Sequence, residues 1–195
     1  MNYEKLIDTL KEYKENLIIS QLYYEELRSN NLKDINTLEE IFKFDDAKTC
    51  FGDYDTDGIL DEYFSLAIYM KSELIGGVMY TISHPRDLTR IFIVLCLKKE
   101  YRGSGIGSII IKQSINSLFT EFGNIKSLYV TVLKSNKKCI NLIEKNNFYK
   151  FNGYRDNDYL LVNGKNEVQY HYMYTIKDYK NDCEILKKYK KLNIK

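Results

Sequence analysis

The 195 residues carry 29 basic and 27 acidic side chains, for a net charge of +2, with 44% hydrophobic residues, 18 tyrosines and no tryptophan. That length suits one domain and buries roughly 70% of the unfolded surface, and the composition excludes collagen, low-complexity scaffolds and wholesale disorder. So balanced a charge does not suit a dedicated nucleic-acid binder. The longest apolar run, Ile91 to Leu97, is too short to span a membrane, and the mixed charges of residues 1–16 do not read as a signal peptide. A cytoplasmic chain is expected.

Tyr3, Leu6, Ile7, Leu10, Tyr13 and Leu17 keep helical spacing and predict an amphipathic helix over 2–15. The apolar stretch Leu17 to Tyr24 predicts a first strand. Residues 32–51 read as a second helix, with Leu38, Ile41, Phe42 and Phe44 inward. An acidic, turn-rich segment, Asp53 to Glu62, follows. The period then becomes that of strands, over Tyr63 to Met70, Leu74 to Ser83 and Ile91 to Leu97. Lys71-Ser72-Glu73 is the first turn between them, and His84-Pro85-Arg86-Asp87 is the second. RGSGIG, Arg102 to Gly107, leads into a helix with Ile106, Ile109, Ile110, Ile115, Leu118 and Phe119 inward. A strand over Leu128 to Leu133 and a helix from about Asn136 to Lys145 follow, with Asn146 and Asn147 as left-handed terminating residues. Residues 148–176 form a tyrosine-rich antiparallel region, with turns at Asn152-Gly153 and Asn163-Gly164. The tail from Lys177 has seven lysines and reads as a polar, solvated helix. The order is mixed α/β (α+β) around one sheet.

The four cysteines, Cys50, Cys96, Cys139 and Cys183, are too dispersed for a zinc site or a disulfide framework, and Cys96 reads as a buried hydrophobe. No metal site is expected from them. The sharpest feature is LCLKKEYRGSGIGSIIIKQ, residues 95–113, where a strand passes through a basic turn and alternating glycines into an apolar helix. Glycines let backbone N–H groups converge on a ligand, and the helix start adds unsatisfied donors at its positive dipole end, which together suit a pyrophosphate. A tight turn without a ligand is the alternative. GxGxxG fails because residue 108 is Ser, and a Walker A loop fails because no Gly-Lys-Ser/Thr occurs.

Arg102, Gly105 and Gly107 match the RxxGxG signature of the GNAT acetyltransferase superfamily. Downstream, Asn136-Lys137-Lys138-Cys139 and the run Leu142 to Phe148 resemble that family's second motif. The resemblance covers about residues 62–176, within a single domain whose residues 1–61 form an N-terminal, acceptor-side part and 177–195 a polar tail. It implies a mostly antiparallel splayed sheet flanked by helices, with acetyl-CoA lying between the strands 91–97 and 128–133. The backbone of Leu95 and Leu97 would pair with the pantetheine arm. The amides of Arg102, Gly103, Gly105, Ile106, Gly107 and Ser108 would hold the pyrophosphate, and Asn136 would touch the pantetheine or guide the thioester. The implied reaction is N-acetylation of a primary amine by direct attack, with a CoA-binding module of weak or lost catalysis as the alternative.

The positions where relatives carry proton-handling residues hold Val94, Thr131 and Ile143 here, so no catalytic side chain is assigned. His84, Cys139, His171, a tyrosine or ordered water anchored by Thr131 could substitute. Read plainly, His84 is a turn residue, His171 a strand residue and Cys139 packing.

Asp53, Asp55, Asp57 and Gly58 match the start of a calcium loop, but the twelfth position, normally Glu, is Phe64. A solvated turn is the plain reading of residues 53–62, and a lining that attracts a cationic amine acceptor is the functional one. Lys134, Lys137 and Lys138 could meet the 3′-phosphate or simply be solvated. Against RNA as a partner of the tail stand Asp178, Asp182 and Glu184. Tyr154, Tyr159, Tyr170, Tyr172 and Tyr174 are read as core by default, with a homodimer face or an acceptor wall as the other readings.

Overall fold

Apolar residues two apart commit each strand segment to two-faced burial, and the strands assemble into one sheet with helices on both faces. The computed structural model describes residues 17–43, 64–84, 87–151, 159–162 and 165–192. Its strands are β1 (Leu22–Leu27), β2 (Phe64–Met70), β3 (Glu73–His84), β4 (Asp87–Leu97), β5 (Ser127–Leu133), β6 (Tyr149–Lys150), β7 (Tyr159–Val162) and β8 (Lys165–Thr175). The helices are α1 (Leu32–Phe42), α2 (Ile106–Glu121), α3 (Lys137–Lys145) and α4 (Ile176–Leu192). The sheet order is β1-β2-β3-β4-β5-β8-β6, with β7 pairing β8. Every pairing is antiparallel except β4 with β5.

Alternation along β4 separates two cores. Ile91, Ile93 and Leu97 pack with Ile106, Ile110 and Ile115 of α2 and Ile143 of α3. Cys96, with Val94 beside it, packs with Leu38 and Ile41 of α1 and with Ala67 and Met79. Glycine lets α1 lie close, since a Cβ on Gly77 would come within 2.9 Å of Ile41 Cδ1. One position earlier, a Cβ on Gly76 would stand 2.1 Å from the carbonyl oxygen of Cys96.

Several elements depart from expectation. Residues 17–19 are helical and the first strand begins at Leu22, because pairing with β2, Leu22 to Met70 through Leu27 to Ser65, sets its limits. The helix expected over 32–51 closes at Phe42, where the Lys43 N–H already turns back to the carbonyls of Glu39, Glu40 and Ile41. The first hairpin turn is two residues, Lys71 and Ser72, both with positive φ (49° and 70°), and Glu73 belongs to β3. At the end of α3 only Asn147 is left-handed (φ 65°), whereas Asn146 has φ −100°. The helix expected over 2–15, residues 44–51 with Phe44, and the turns at 152–153 and 163–164 lie outside the described residues.

The first turns of the tail dock on the core, whereas Lys177, Lys180 and Glu184 to Lys187 are exposed as expected of a solvated helix. Thr175 and Asp178 cap the start of α4 reciprocally, with the Asp178 carboxylate accepting from Thr175 N–H (2.8 Å) and Oγ1 (2.6 Å). Tyr174 donates to Asp182 at 2.7 Å, and Ile176 and Tyr179 pack on the larger core. Two of the three tail acids thus have structural partners. Tyr172 and Tyr174 are core residues, at 1% and 2% exposure. No disulfide joins the described cysteines.

Burial, aided in Tyr172 by a hydrogen bond to Glu144, pushes the phenols of Tyr24 and Tyr172 up to about 12, and Tyr174 is raised further. The folded chain therefore holds these protons above pH 10, where the unfolded chain releases them. Stability present below pH 10 is expected to decline from there towards pH 12. Urea midpoints measured across that range check it, and a flat profile would contradict the burial of these phenols.

Candidate active site

Strands β4 and β5 pair at only three positions, Arg90 to Ser127, Ile91 to Leu128 and Phe92 to Tyr129, and then part. Beyond Phe92 and Tyr129 a narrow cleft of about 40 Å³ opens between them, walled by Val94 and Leu95 on one side and Thr131 and Val132 on the other. Asn136 and Cys139 of the α3 start close its end. This is the splay that the resemblance implies.

The glycine loop lies where β4 runs out. Residues 99–101 make one 3₁₀ turn, Gly103 and Gly105 take left-handed backbone (φ 76° and 94°), and α2 begins at Ile106. A Cβ on either glycine would meet nothing within 4 Å, so positive φ, not crowding, selects glycine there. Gly107 differs, since a Cβ there would stand 3.2 Å from Leu142, and its absence lets α2 and α3 lie close together. Open space over a helix N-terminus with convergent N–H groups fits a pyrophosphate. Ser108 N–H is turned inward to Gly105 O (3.1 Å), so Gly103, Gly105, Ile106 and Gly107 present the more available amides.

The loop is pinned from below. Arg102 Nε donates to Leu97 O at 2.6 Å, so the guanidinium fastens the loop to β4 and occupies a carbonyl expected to meet the pantetheine. Tyr101 donates to Glu73 at 2.6 Å, with Lys98 Nζ 3.4 Å from the same carboxylate. That bond holds the phenol of Tyr101 up and the carboxyl of Glu73 down.

Asn136 caps α3, its Oδ1 accepting from Cys139 N–H at 3.1 Å. Ser108 Oγ donates to Asn146 Oδ1 (2.9 Å), and Asn146 Nδ2 donates to Leu142 O (2.7 Å). This bridge ties the start of α2 to the end of α3. No local pattern in the sequence announces it, because its ends lie 38 residues apart.

The three non-titratable positions, Val94, Thr131 and Ile143, all line the β4–β5 cleft. Ile143 is 1% exposed in the core. Val94 packs toward α1 and walls the cleft. Thr131, also on the cleft wall, has its Oγ1 3.1 Å from Nδ1 of His171. His84 pairs with Asp87 across the β3–β4 turn. Cys139 packs partly on the core. Lys134, Lys137 and Lys138 are exposed. The acidic segment 53–62 lies outside the described residues, while Phe64, the twelfth position of the calcium pattern, opens β2. Among the described residues no cluster could hold a metal and no helix is long and apolar enough to cross a membrane.

A larger cavity, about 970 Å³, lies between α2 and β1–β3. Tyr24, Tyr80, Gln113 and Phe122 line it, and none of the predicted cofactor residues does.

Residues 19–148 match the family model described as acetyltransferase (GNAT) family. No curated protein sequence matches the chain. Among solved structures, the fold is similar to spermidine N-acetyltransferase from Vibrio cholerae in complex with CoA and spermine, with TM-score 0.66, 17% identity, and coverage of 82% of this chain and 98% of that one. It is also similar to an acetyltransferase of the GNAT family from Streptococcus pneumoniae (TM-score 0.61, 22% identity, 80% and 99% covered). A third similar structure is the acetyltransferase from Salmonella typhimurium that modifies the N-terminal serine of ribosomal protein L7/L12 (TM-score 0.65, 15% identity, 80% and 95% covered).

Proposed function

Because the chain belongs to the acetyltransferase (GNAT) family and is an acyltransferase that uses acetyl-CoA, we propose that it acetylates a primary amine, on a small molecule or a peptide, in the cytoplasm. The observation that carries this is the parting of β4 and β5 directly before an open glycine loop at a helix N-terminus. The whole chain acts as one acetyltransferase domain in this reading. Similar folds acting on spermidine or on a protein N-terminus support an amine acceptor of either size.

Acetyl-CoA supplies an acetyl thioester when bound. Gly103, Gly105, Ile106 and Gly107 hold its pyrophosphate through backbone N–H groups, with the α2 dipole behind them. The backbone of Leu95 and the Leu97 N–H line the route of the pantetheine arm. Asn136, fixed by its capping bond, orients the chain at the cleft end. Apolar walls, Val94, Leu95 and Val132, exclude water and strengthen the polar contacts made inside.

Calorimetric titration of acetyl-CoA, with NADH as control, followed by a panel of primary amines, tests the proposal. Saturable binding with a dissociation constant of about 1–100 μM, roughly 5–8 kcal/mol, and turnover of at least one amine are expected. Binding without turnover of any amine would instead establish the CoA-binding module, and no binding would overturn both readings.

A further inference from the structure

We propose that Thr131 and His171 form the proton-accepting pair of the acetyl transfer, an inference that rests on the reading above. Three observations meet here. Thr131 walls the cleft that opens between β4 and β5, across from Val94. Its hydroxyl lies 3.1 Å from His171 Nδ1, on the strand next door, where Thr131 and His171 are register partners. The other two positions, Val94 and Ile143, line the same cleft but are hydrocarbon, so Thr131 carries the hydroxyl among the three. Thr131 cannot itself accept a proton at neutral pH, but a threonine backed by an imidazole can relay one.

A primary amine arrives as an ammonium and needs its lone pair to attack. One N–H bond of the ammonium breaks as its proton passes to Thr131 Oγ1, and the proton of that hydroxyl passes to His171 Nδ1. The amine gains the lone pair, and His171, with its other proton on the buried Nε2, carries the charge as imidazolium until the product leaves, when the proton returns from Nδ1 through Thr131 Oγ1 to water entering the cleft. Thr131 is the residue that touches the amine, and His171 acts through it.

The surroundings suit this use. His171 is half-buried, on the same face of the sheet as Thr131 and Tyr129 of β5, by the pairing of Thr131 with His171 and Tyr129 with Met173. On the β6 side the neighbouring residue of that face is Tyr149, which pairs with Met173. Glu167, on the same side of β8, receives Ser135 Oγ at 2.7 Å. Among the described residues of these strands and of β4, Tyr129, Tyr149, Lys165, Glu167 and Arg90 are therefore the titratable groups that share the face.

The test combines rates with an observable that needs no turnover. His171→Gln keeps a group that can bond Thr131 and removes the titration. It is expected to lower kcat/KM by about 10²–10⁴-fold and to abolish the acid limb of the pH–rate profile, with acetyl-CoA affinity unchanged. Thr131→Val should lower the rate comparably, Thr131→Ser should restore most of it, and the double variant should cost little more than either alone. The chain has only two histidines, so NMR titration of the intact protein without acetyl-CoA assigns His171 by a single substitution. Its midpoint is expected to coincide with the acid limb. An unchanged rate and acid limb in His171→Gln, or a His171 that does not titrate along that limb, would overturn the pair while leaving the transferase reading intact. Loss of acetyl-CoA binding by the unsubstituted chain would instead overturn that reading, and the pair with it. Should His171→Gln not fold, full activity in Thr131→Val overturns the relay on its own.

Discussion

Replacing Gly105 with valine is expected to abolish acetyl-CoA binding, lowering affinity by about 100-fold or more, roughly 3 kcal/mol. Two effects act in the same direction. Gly105 holds φ 94°, which a β-branched residue resists, so the N-terminus of α2 must re-form and its N–H groups lose their common aim. The side chain would also project into the open space over the loop, where a Cβ now meets nothing within 4 Å. Gly123→Ala, also in open space but without positive φ, is the control and should bind normally. Calorimetry on both variants decides the matter, and near-normal affinity in Gly105→Val would place the phosphates elsewhere.

Gly76→Val is expected to be the most damaging substitution for folding among those considered. Its Cβ would stand 2.1 Å from the backbone oxygen of Cys96 and 2.8 Å from a methyl of Leu97, so β3 and β4 must separate where they are most tightly joined. Overpacking against a backbone cannot be relieved by a rotamer change, and a loss of about 3 kcal/mol follows. Gly77→Ala is the instructive comparison, because its nearest neighbour is the tip of a flexible side chain, Ile41 Cδ1 at 2.9 Å. It should cost about 1 kcal/mol. Urea unfolding measures both, and equal midpoints for Gly76→Val and the unsubstituted chain would contradict the close approach of the two strands.

Local chemistry carried much of this fold into the sequence. Period-two apolar runs located β2 to β5 because β2 to β4 each have one face on each core and β5 sets Leu128, Val130 and Val132 on the larger one, and the glycine loop was legible because positive φ leaves a residue-type signature. The inward residues named for α2, Ile106 to Phe119, are all buried, since helical spacing and burial are the same fact seen twice. Boundaries were less legible. Apolar character marks residues 17–24 as a buried stretch, but only pairing with β2 decides that the strand starts at Leu22. The tail's lysines hid the docking of its first turns, because Tyr179 and the Tyr174–Asp182 bond are single contacts within a segment that is otherwise exposed. Within the site, the hydrogen bonds joining Ser108 to Asn146 and Thr131 to His171 span 38 and 40 residues, and only three-dimensional adjacency creates them.

The two cores on opposite faces of β2–β4 have a consequence for how the molecule can diversify. Substitutions at Leu38, Ile41 or Met79 disturb the smaller cluster, whereas the glycine loop and its brace to α3 rest on the larger one. Mutations that are far apart and share no partners combine nearly additively, so changes at Leu38 under α1 are expected to leave the glycine loop intact, with Val94, which packs on the smaller cluster and walls the cleft, as the point where the two communicate. A lineage built this way can vary beneath α1 while its glycine loop stays constant.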